Sequence, residues 1–196
     1  MGQMGSMVLE AWIMDTASVV LAIFSAMAVW RLKAVTLSGA IGVAVMGVTV
    51  LLFCDWLLLI PLVIFFTTSS ALTRLPYGIE DEDLHRTFGQ VFANGSIAWL
   101  ALIMYATSDM GLWSQRDALA ICLGAIASAN ADTWATELGV RYGGGTHDIL
   151  KGRSVDAGTS GGVSGVGTMG SILGAGAIAI TVPLFGEILC PGWIPI

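Results

Sequence analysis

Long apolar runs separated by short polar connections dominate the chain, and they predict membrane-spanning helices. Six runs can be cut, at residues 8–30, 36–54, 56–73, 90–108, 117–138 and 161–184. A bilayer core takes ~20 apolar residues as helix, which is close to the length of each run. The runs are continuously apolar rather than alternating, which favours helices over barrel strands. The pattern therefore predicts an all-α fold: a polytopic membrane helix bundle of about six transmembrane helices, in one integral membrane domain over residues 1–196.

The composition supports this fold class and excludes others. The chain is 56% hydrophobic and 11% charged, with a mean hydropathy of +0.82, whereas soluble domains carry about 25% charged residues. Its net charge of -6 argues against a nucleic-acid partner, because binding a phosphate backbone requires a basic face. Cys54, Cys122 and Cys190 are isolated, without a C-x-x-C pattern, and this indicates buried thiols.

The basic residues predict how the helices are oriented. Seven of the eight Lys and Arg residues fall at the first, third and fifth connections, namely Arg31, Lys33, Arg74, Arg86, Arg141, Lys151 and Arg153. Only Arg116 falls on the other side. Since Lys and Arg collect in cytoplasmic loops, we expect a multi-pass protein of the cell membrane with both termini outside.

Every unusual polar cluster falls on the predicted cytoplasmic face. Residues 67–74 close the third run, 86–95 open the fourth, 132–139 close the fifth and 158–164 open the sixth. Packing alone does not readily produce such convergence. We therefore predict a polar pocket at the inner leaflet boundary, built from residues 67–95, 130–139 and 151–168.

The glycine segment that opens the sixth run is a candidate phosphate site. A Gly-rich turn leading into a helix frees backbone N–H groups and directs the positive end of the helix dipole at a ligand. The candidate binding residues here are Gly158, Thr159, Ser160, Gly161, Gly162 and Ser164, with Lys151 and Arg153 upstream to add charge-assisted hydrogen bonds. The alternative is helix packing through small residues, which we favour for Gly170 and Gly174.

Asp132 and Glu137 are the candidate metal-binding carboxylates. They are five positions apart, about 140° around a straight helix, and would not chelate one ion side by side. We assign Asp132 a metal–phosphate role, and Glu137 either a second metal or a basic partner. Mg²⁺ is the expected ion, because it takes few protein oxygens and completes its shell with water and substrate phosphates. The alternative is a structural ion pair with Arg86 or Arg74.

Two amides and an acidic run complete the predicted chemistry. Gln90 and Asn94 share a face of the fourth helix and offer amides to phosphate or metal, or else form interhelical hydrogen bonds. The acidic run at residues 80–83 is interpreted as a solvated loop, with metal attraction as the alternative.

Three motifs together resemble a known membrane family. They are Gln90-Val-x-Ala-Asn94-Gly95, Ala131-Asp132-Thr-Trp-Ala-x-Glu137-Leu-Gly139 and Gly158-Thr-Ser-Gly-Gly-Val-Ser164 followed by Gly167-Thr168. Their order and spacing, over most of residues 33–182, resemble the family of the plant chloroplast phytyl-phosphate kinase and its archaeal, bacterial and animal relatives. That family is distantly similar to phytol and dolichol kinases and to CDP-lipid synthases, which use CTP.

The resemblance implies a CTP-dependent polyprenyl-phosphate kinase that makes the prenyl diphosphate from phytyl or geranylgeranyl phosphate. Asp132 and Glu137 would be magnesium-linked, Asn94 and Gln90 would orient phosphate or metal, and residues 158–162 would cradle the nucleotide. The residues expected to balance charge are Arg86, Lys151, Arg153, Lys33 and Arg74. A further helix, expected from the family, would be missing or supplied by another subunit, as in a homodimer.

Two other functions remain open at this point. The same site would suit a nucleotidyltransferase that forms a CDP-lipid and releases pyrophosphate. A non-enzymatic transporter or scaffold for anionic lipids is disfavoured, because transporters place polar breaks near the middle of the membrane, whereas these clusters lie at one face.

Overall fold

The computed structural model of the chain describes residues 2–54, 56–75 and 87–183. Within these ranges, side chains are described from residue 12 onward, except that of residue 56. Several residues of the sequence predictions lie outside the described part: the acidic run at 80–83, Arg86 and Cys190.

The described part of the chain contains six α-helices, and each coincides with one predicted apolar run. They are α1 (Gly2–Arg31), α2 (Leu37–Phe53), α3 (Leu59–Thr73), α4 (Phe88–Ala106), α5 (Gln115–Tyr142) and α6 (Gly165–Ala179). Short 3-10 turns at Trp56–Leu58 and Ser108–Met110 precede α3 and follow α4. The predicted helical membrane fold is confirmed.

The helices fall into two length classes. Residues Trp12–Arg31 of α1, together with α4 and α5, are long and apolar enough to cross a membrane. The other three are apolar but have only 17, 15 and 15 residues. At ~1.5 Å per residue these span about 22–26 Å, less than the ~30 Å of a hydrocarbon core. The positions of the two termini relative to the bilayer stay a prediction.

The chain divides into two compact units. Unit 1 comprises Met1–Leu59 and His85–Leu119, and unit 2 comprises Ile60–Leu84 and Ala120–Ile196. In unit 1, α2 packs against α1 and α4, and the indole N–H of Trp99 donates to Thr49 Oγ1 at 3.0 Å. Unit 2 contains α3, most of α5, and α6.

A small antiparallel sheet connects α5 to α6 in unit 2, and the sequence did not predict it. Its strands are β1 (Thr146–Asp148), β2 (Ser154–Val155) and β3 (Gly162–Val163), in the order β2-β1-β3. His147 is opposite Ser154 on one side and Val163 on the other. Strands of two or three residues are too short to show the period-2 pattern by which strands are recognised.

Glycines bring the backbones of α5 and α6 into contact. A Cβ added at Gly170 would lie 2.8 Å from the carbonyl oxygen of Trp134, and one added at Gly139 would lie 3.2 Å from the Cα of Gly167. Membrane helices approach this closely only through small residues. The prediction that Gly170 serves helix packing is confirmed, and the same contacts fix how α6 lies along α5.

Candidate functional site

A cavity of about 570 Å³ lies in unit 2, between α5, the turns of the connecting segment and the start of α6. This volume falls within the range of ~300–1,000 Å³ that is typical of small-molecule sites. Its lining residues come from three stretches of chain: Asp132, Ala135, Thr136, Gly139 and Val140; Thr146 and 158–164; and Gly167, Thr168 and Ser171. The cavity therefore unites two of the polar clusters that the sequence placed on one face.

Asp132 provides the negative charge of this cavity. It lies on the same face of α5 as Thr136 and Gly139, at positions i, i+4 and i+7, and all three line the space. Among the described lining residues, Asp132 is the only Asp, Glu, Lys, Arg or His. A single carboxylate with a neighbouring hydroxyl and open space beside it is compatible with a hydrated Mg²⁺ ion, which commonly uses one or two carboxylates and substrate phosphates.

Two consecutive turns form the wall contributed by the glycine segment. The N–H of Thr159 donates to the carbonyl of Asp156 at 3.1 Å, and the N–H of Gly162 donates to that of Thr159 at 2.9 Å. The third residue of each turn is a glycine with positive φ, 87° at Gly158 and 79° at Gly161. Such a φ at the third position is typical of type II turns and favours glycine.

This wall offers hydrogen-bond donors. Within the described residues, the backbone N–H groups of Gly158, Ser160 and Gly161 donate no hydrogen bond. The hydroxyls of Thr159 and Ser160 belong to the same cavity-lining segment. Backbone N–H groups grouped in this way form concave sites for anions. The segment lines the cavity, and its phosphate-binding role stays a prediction.

The start of α6 completes the cavity. Ser164 is the N-cap, and its side chain accepts from the N–H of Gly167 at 3.1 Å. Thr168 and Ser171 follow at i+4 and i+7, so their hydroxyls lie on the same side of the helix. The positive end of the helix dipole therefore lies at the cavity. A carboxylate and a set of N–H donors around one space suit a polyphosphate partly neutralised by a divalent cation.

Glu137 does not line this cavity. Its Oε1 accepts from Thr73 Oγ1 at 2.7 Å, and its Oε2 accepts from the Arg141 guanidinium in an ion pair. Arg141 also donates to the backbone carbonyls of Thr73 at 3.1 Å and Leu75 at 3.2 Å, at the end of α3. Of the two roles expected for Glu137, the structure has the basic partner. That partner is Arg141 on the same helix; Arg86 lies outside the described residues.

The remaining predicted residues lie elsewhere. Lys151 and Arg153 are exposed and do not line the cavity, and their contact with nucleotide phosphates stays a prediction. Gln90 accepts from the Thr87 N–H at 2.8 Å in a capping box that starts α4. Gln90, the half-buried Asn94, and Lys33 belong to unit 1, and the exposed Arg74 follows α3 in unit 2.

Sequence reasoning missed several residues that line the cavity. Val140, Thr146 and Ser171 lie outside the predicted pocket segments, whereas Ala135, Thr136 and Val163 lie inside them but were not singled out as site residues. A signal for two of them was available, because Thr136 follows Asp132 by four positions, and Ser171 follows Ser164 by seven. Both spacings place side chains on one helical face. Thr146 had no such signal, since it reaches the cavity through the sheet.

Asn130 holds three helices together next to the cavity. It is fully buried. Its Nδ2 donates to the carbonyl of Gly174 on α6 at 2.8 Å, and its Oδ1 accepts from Ser69 Oγ on α3 at 3.0 Å. Polar groups at membrane depth must find partners inside the protein. Asn130 is therefore a structural residue at the crossing of α3, α5 and α6, two positions from Asp132.

Comparison with known proteins assigns the chain to a family. A family model described as integral membrane protein DUF92 matches residues 20–194. The chain belongs to this family. The match covers all of unit 2's described helices and the cavity-lining residues.

Two relatives show how far the similarity extends. An uncharacterized membrane protein of Methanocaldococcus jannaschii is 31% identical over 157 residues, which cover 77% of this chain and 61% of the relative. Protein PGR of Arabidopsis thaliana is 30% identical over 144 residues, which cover 64% of this chain and 49% of that protein. The chain thus spans about three fifths of the length of the first relative and about half of the second. No solved structure matches it.

Proposed function

We propose that this protein is a membrane-embedded kinase that transfers the γ-phosphoryl group of CTP to a polyprenyl monophosphate, such as phytyl or geranylgeranyl phosphate. The products are the prenyl diphosphate and CDP. The single observation that supports this function best is the cavity in which Asp132 and the N–H-rich turns at 158–162 surround one space. The resemblance of the sequence motifs to phytyl-phosphate kinase supplies the substrate class.

The chemistry requires little of the protein beyond positioning and charge. An oxygen of the prenyl phosphate forms a bond to the γ-phosphorus, and the bond from that phosphorus to the β,γ-bridging oxygen breaks, leaving its electron pair on CDP. The acceptor oxygen is already anionic, so no general base is required. Enzymes of this kind work by holding the phosphates in line and offsetting their charge.

Each wall of the cavity has a part in this reaction. The N–H groups of Gly158, Ser160 and Gly161 and the start of α6 would hold the nucleotide phosphates. Asp132 would hold Mg²⁺, which supplies neutralisation of the phosphate charge when bound. The hydroxyls of Thr136 and Thr168 would orient phosphate oxygens within this polar space.

The membrane position suits a substrate with a long hydrocarbon tail. The cavity borders α5, which is long and apolar enough to cross a bilayer, and α6, whose outer face exposes Met169, Ile172 and Leu173. An isoprenoid tail can remain in lipid beside these helices while its phosphate enters the polar cavity. A polar cavity beside apolar helix faces therefore suits a substrate with a charged head and a hydrocarbon tail.

The test uses purified protein in detergent with phytyl or geranylgeranyl phosphate, Mg²⁺ and each of the four nucleoside triphosphates in turn. Mass spectrometry would detect the lipid products. We expect prenyl diphosphate and CDP with CTP, and no product when Mg²⁺ is chelated. Heat-unfolded protein is the control for chemical breakdown of the nucleotide.

Other outcomes identify the other functions. Detection of a CDP-lipid and pyrophosphate would show that the protein is a nucleotidyltransferase and not a kinase. Folded protein that binds no nucleotide, yet moves prenyl phosphate across vesicles, would overturn both enzymes in favour of a transporter.

A further inference from the structure

The turn between β1 and β2 exposes two large apolar side chains next to two cations. We refer to residues 148–153 as the hairpin tip. Ile149 is 66% exposed and Leu150 is 90% exposed. Lys151 comes next, Arg153 follows two positions later, and both side chains are also exposed. None of these four side chains lines the cavity, so the site already described does not account for them.

The backbone N–H groups of residues 148–152 are paired inside the protein. Asp148 Oδ1 accepts from the N–H groups of Leu150 and Lys151, each at 2.9 Å. The N–H of Gly152 donates to the carbonyl of Asp148 at 2.8 Å, and the N–H of Ile149 donates to the carbonyl of Gly161 at 3.0 Å. The N–H of Asp148 donates to Arg153 at 2.9 Å. Five consecutive N–H groups thus need no water.

This property matters at a bilayer boundary. An exposed loop in water has no need to pair its own N–H groups, whereas a segment that enters a poorly hydrated layer must do so. The hairpin tip therefore has the apolar side chains and the internally paired N–H groups that such a layer requires. A loop tip that only faces the cytoplasm would be expected to carry polar side chains.

The fold also places the hairpin tip near the end of a membrane-spanning helix. With 28 residues, α5 is about 42 Å long by its ~1.5 Å rise, more than the ~30 Å of a hydrocarbon core. Tyr142, its last residue, is 58% exposed, as is typical of aromatic residues at the membrane–water interface. The hairpin tip begins six positions later in the same unit.

We propose that the hairpin tip binds the surface of an anionic bilayer. Ile149 and Leu150 enter the boundary between headgroups and acyl chains, and Lys151 and Arg153 bind lipid phosphates. Apolar side chains combined with cations are the general means by which peripheral segments hold to anionic membranes. The long stems of both cations lie along the apolar layer while their charges stay at the phosphates. This role replaces the nucleotide contact expected for Lys151 and Arg153, and it does not depend on the proposed kinase activity.

The test measures the depth of the hairpin tip directly. Cys54, Cys122 and Cys190 are replaced by alanine, and a single Leu150→Cys is labelled with a nitroxide in nanodiscs of neutral or anionic phospholipid. We expect the ratio of oxygen to nickel-chelate collision rates to be several-fold higher at position 150 than at Ser154→Cys, an exposed control on β2. Anionic lipid should raise this ratio further at position 150, and Lys151→Gln with Arg153→Gln should remove that increase.

Two results would overturn the proposal. One is a water-like collision ratio at position 150, equal to that at 154, in both lipids. The other is strong spin–spin broadening at position 150. Because each chain carries one label, such broadening would show that Ile149 and Leu150 contact a second copy of the protein. Since neither readout uses CTP or prenyl phosphate, failure of the kinase assay would leave this test unaffected.

Discussion

Asn130 and Gly174 contact each other twice. The Asn130 side-chain N–H donates to the carbonyl oxygen of Gly174 at 2.8 Å. The backbone carbonyl oxygen of Asn130 lies 2.8 Å from the position that a Cβ on Gly174 would occupy. A hydrogen bond and a backbone contact thus join α5 to α6 at one point. Because the cavity is formed between these two helices, its shape depends on this contact.

Substitution of Gly174 should therefore destabilise the protein much more than substitution of a neighbouring glycine. In Gly174→Ala the added methyl group meets the Asn130 carbonyl and the Trp134 ring, and overpacking of this kind costs about 1–3 kcal/mol. Gly176→Ala is the matched control, since nothing lies within 4 Å of its added Cβ. Thermal unfolding in detergent should show a lower Tm for Gly174→Ala alone, and equal Tm values would contradict the packing described.

Asp132→Asn should abolish turnover while the protein still folds. The substitution keeps the size of the side chain and removes the negative charge from the cavity, so we expect kcat to fall by ~100-fold or more, as when a charge-stabilising group is lost. The control is Asp156→Asn, an exposed carboxylate in the segment that connects α5 to α6, which does not line the cavity. Rates at increasing Mg²⁺ concentration would be compared, and normal activity of Asp132→Asn would refute the site.

Gly161→Ala should weaken nucleotide binding through the backbone. Gly161 has a φ of 79°, and Gly111, between α4 and α5, has a φ of 75°; neither has an atom within 4 Å of an added Cβ. Alanine at either position should cost a similar ~1–2 kcal/mol of stability. Calorimetric titration with CTP should show a raised Kd for Gly161→Ala and an unchanged Kd for Gly111→Ala. Equal affinities would remove the turn from the binding site.

Glu137→Gln should affect stability more than metal dependence. The substitution removes the charge that faces Arg141, and hydrogen bonds to charged groups contribute about 1.5–3 kcal/mol. Thr73→Val removes the hydroxyl that contacts Glu137 at 2.7 Å and the Ser69 carbonyl at 3.0 Å but keeps the charge pair with Arg141, so it should have a smaller effect. We expect a lower Tm with an unchanged Mg²⁺ concentration for half-maximal rate. A large rise in the required Mg²⁺ would instead show that Glu137 holds the metal.

The helices and one part of the site could be predicted because each depends on a short, continuous stretch of sequence. Continuous apolar runs specify helices in a bilayer, and α5 and α6 follow their runs closely. Asp132 and the glycine segment were expected at one face because they end one run and begin the next. The structure brings them together around one cavity.

The features that the sequence did not predict depend on backbone geometry and on which of several possible partners a side chain contacts. Several basic residues were available to Glu137, and the helix geometry selected Arg141, four positions away and on the same face. That spacing is a recognised ion-pair signal, but Arg141 had been used only to orient the chain. Gln90 is a similar case, since Thr87-x-x-Gln90 has the spacing of a capping box. The sheet left no readable pattern at all.

The glycine contacts between α5 and α6 also have a consequence in membranes of different thickness. A bilayer that thickens or thins forces single helices to tilt or shift until their apolar length fits. Where backbone touches backbone, at Gly139, Gly170 and Gly174, neither helix can slide along the other without collision. The pair must respond as one body, so the separation of Asp132 from the glycine turns is set by the protein and not by the lipid. The same cavity can therefore be maintained in thin and thick membranes alike.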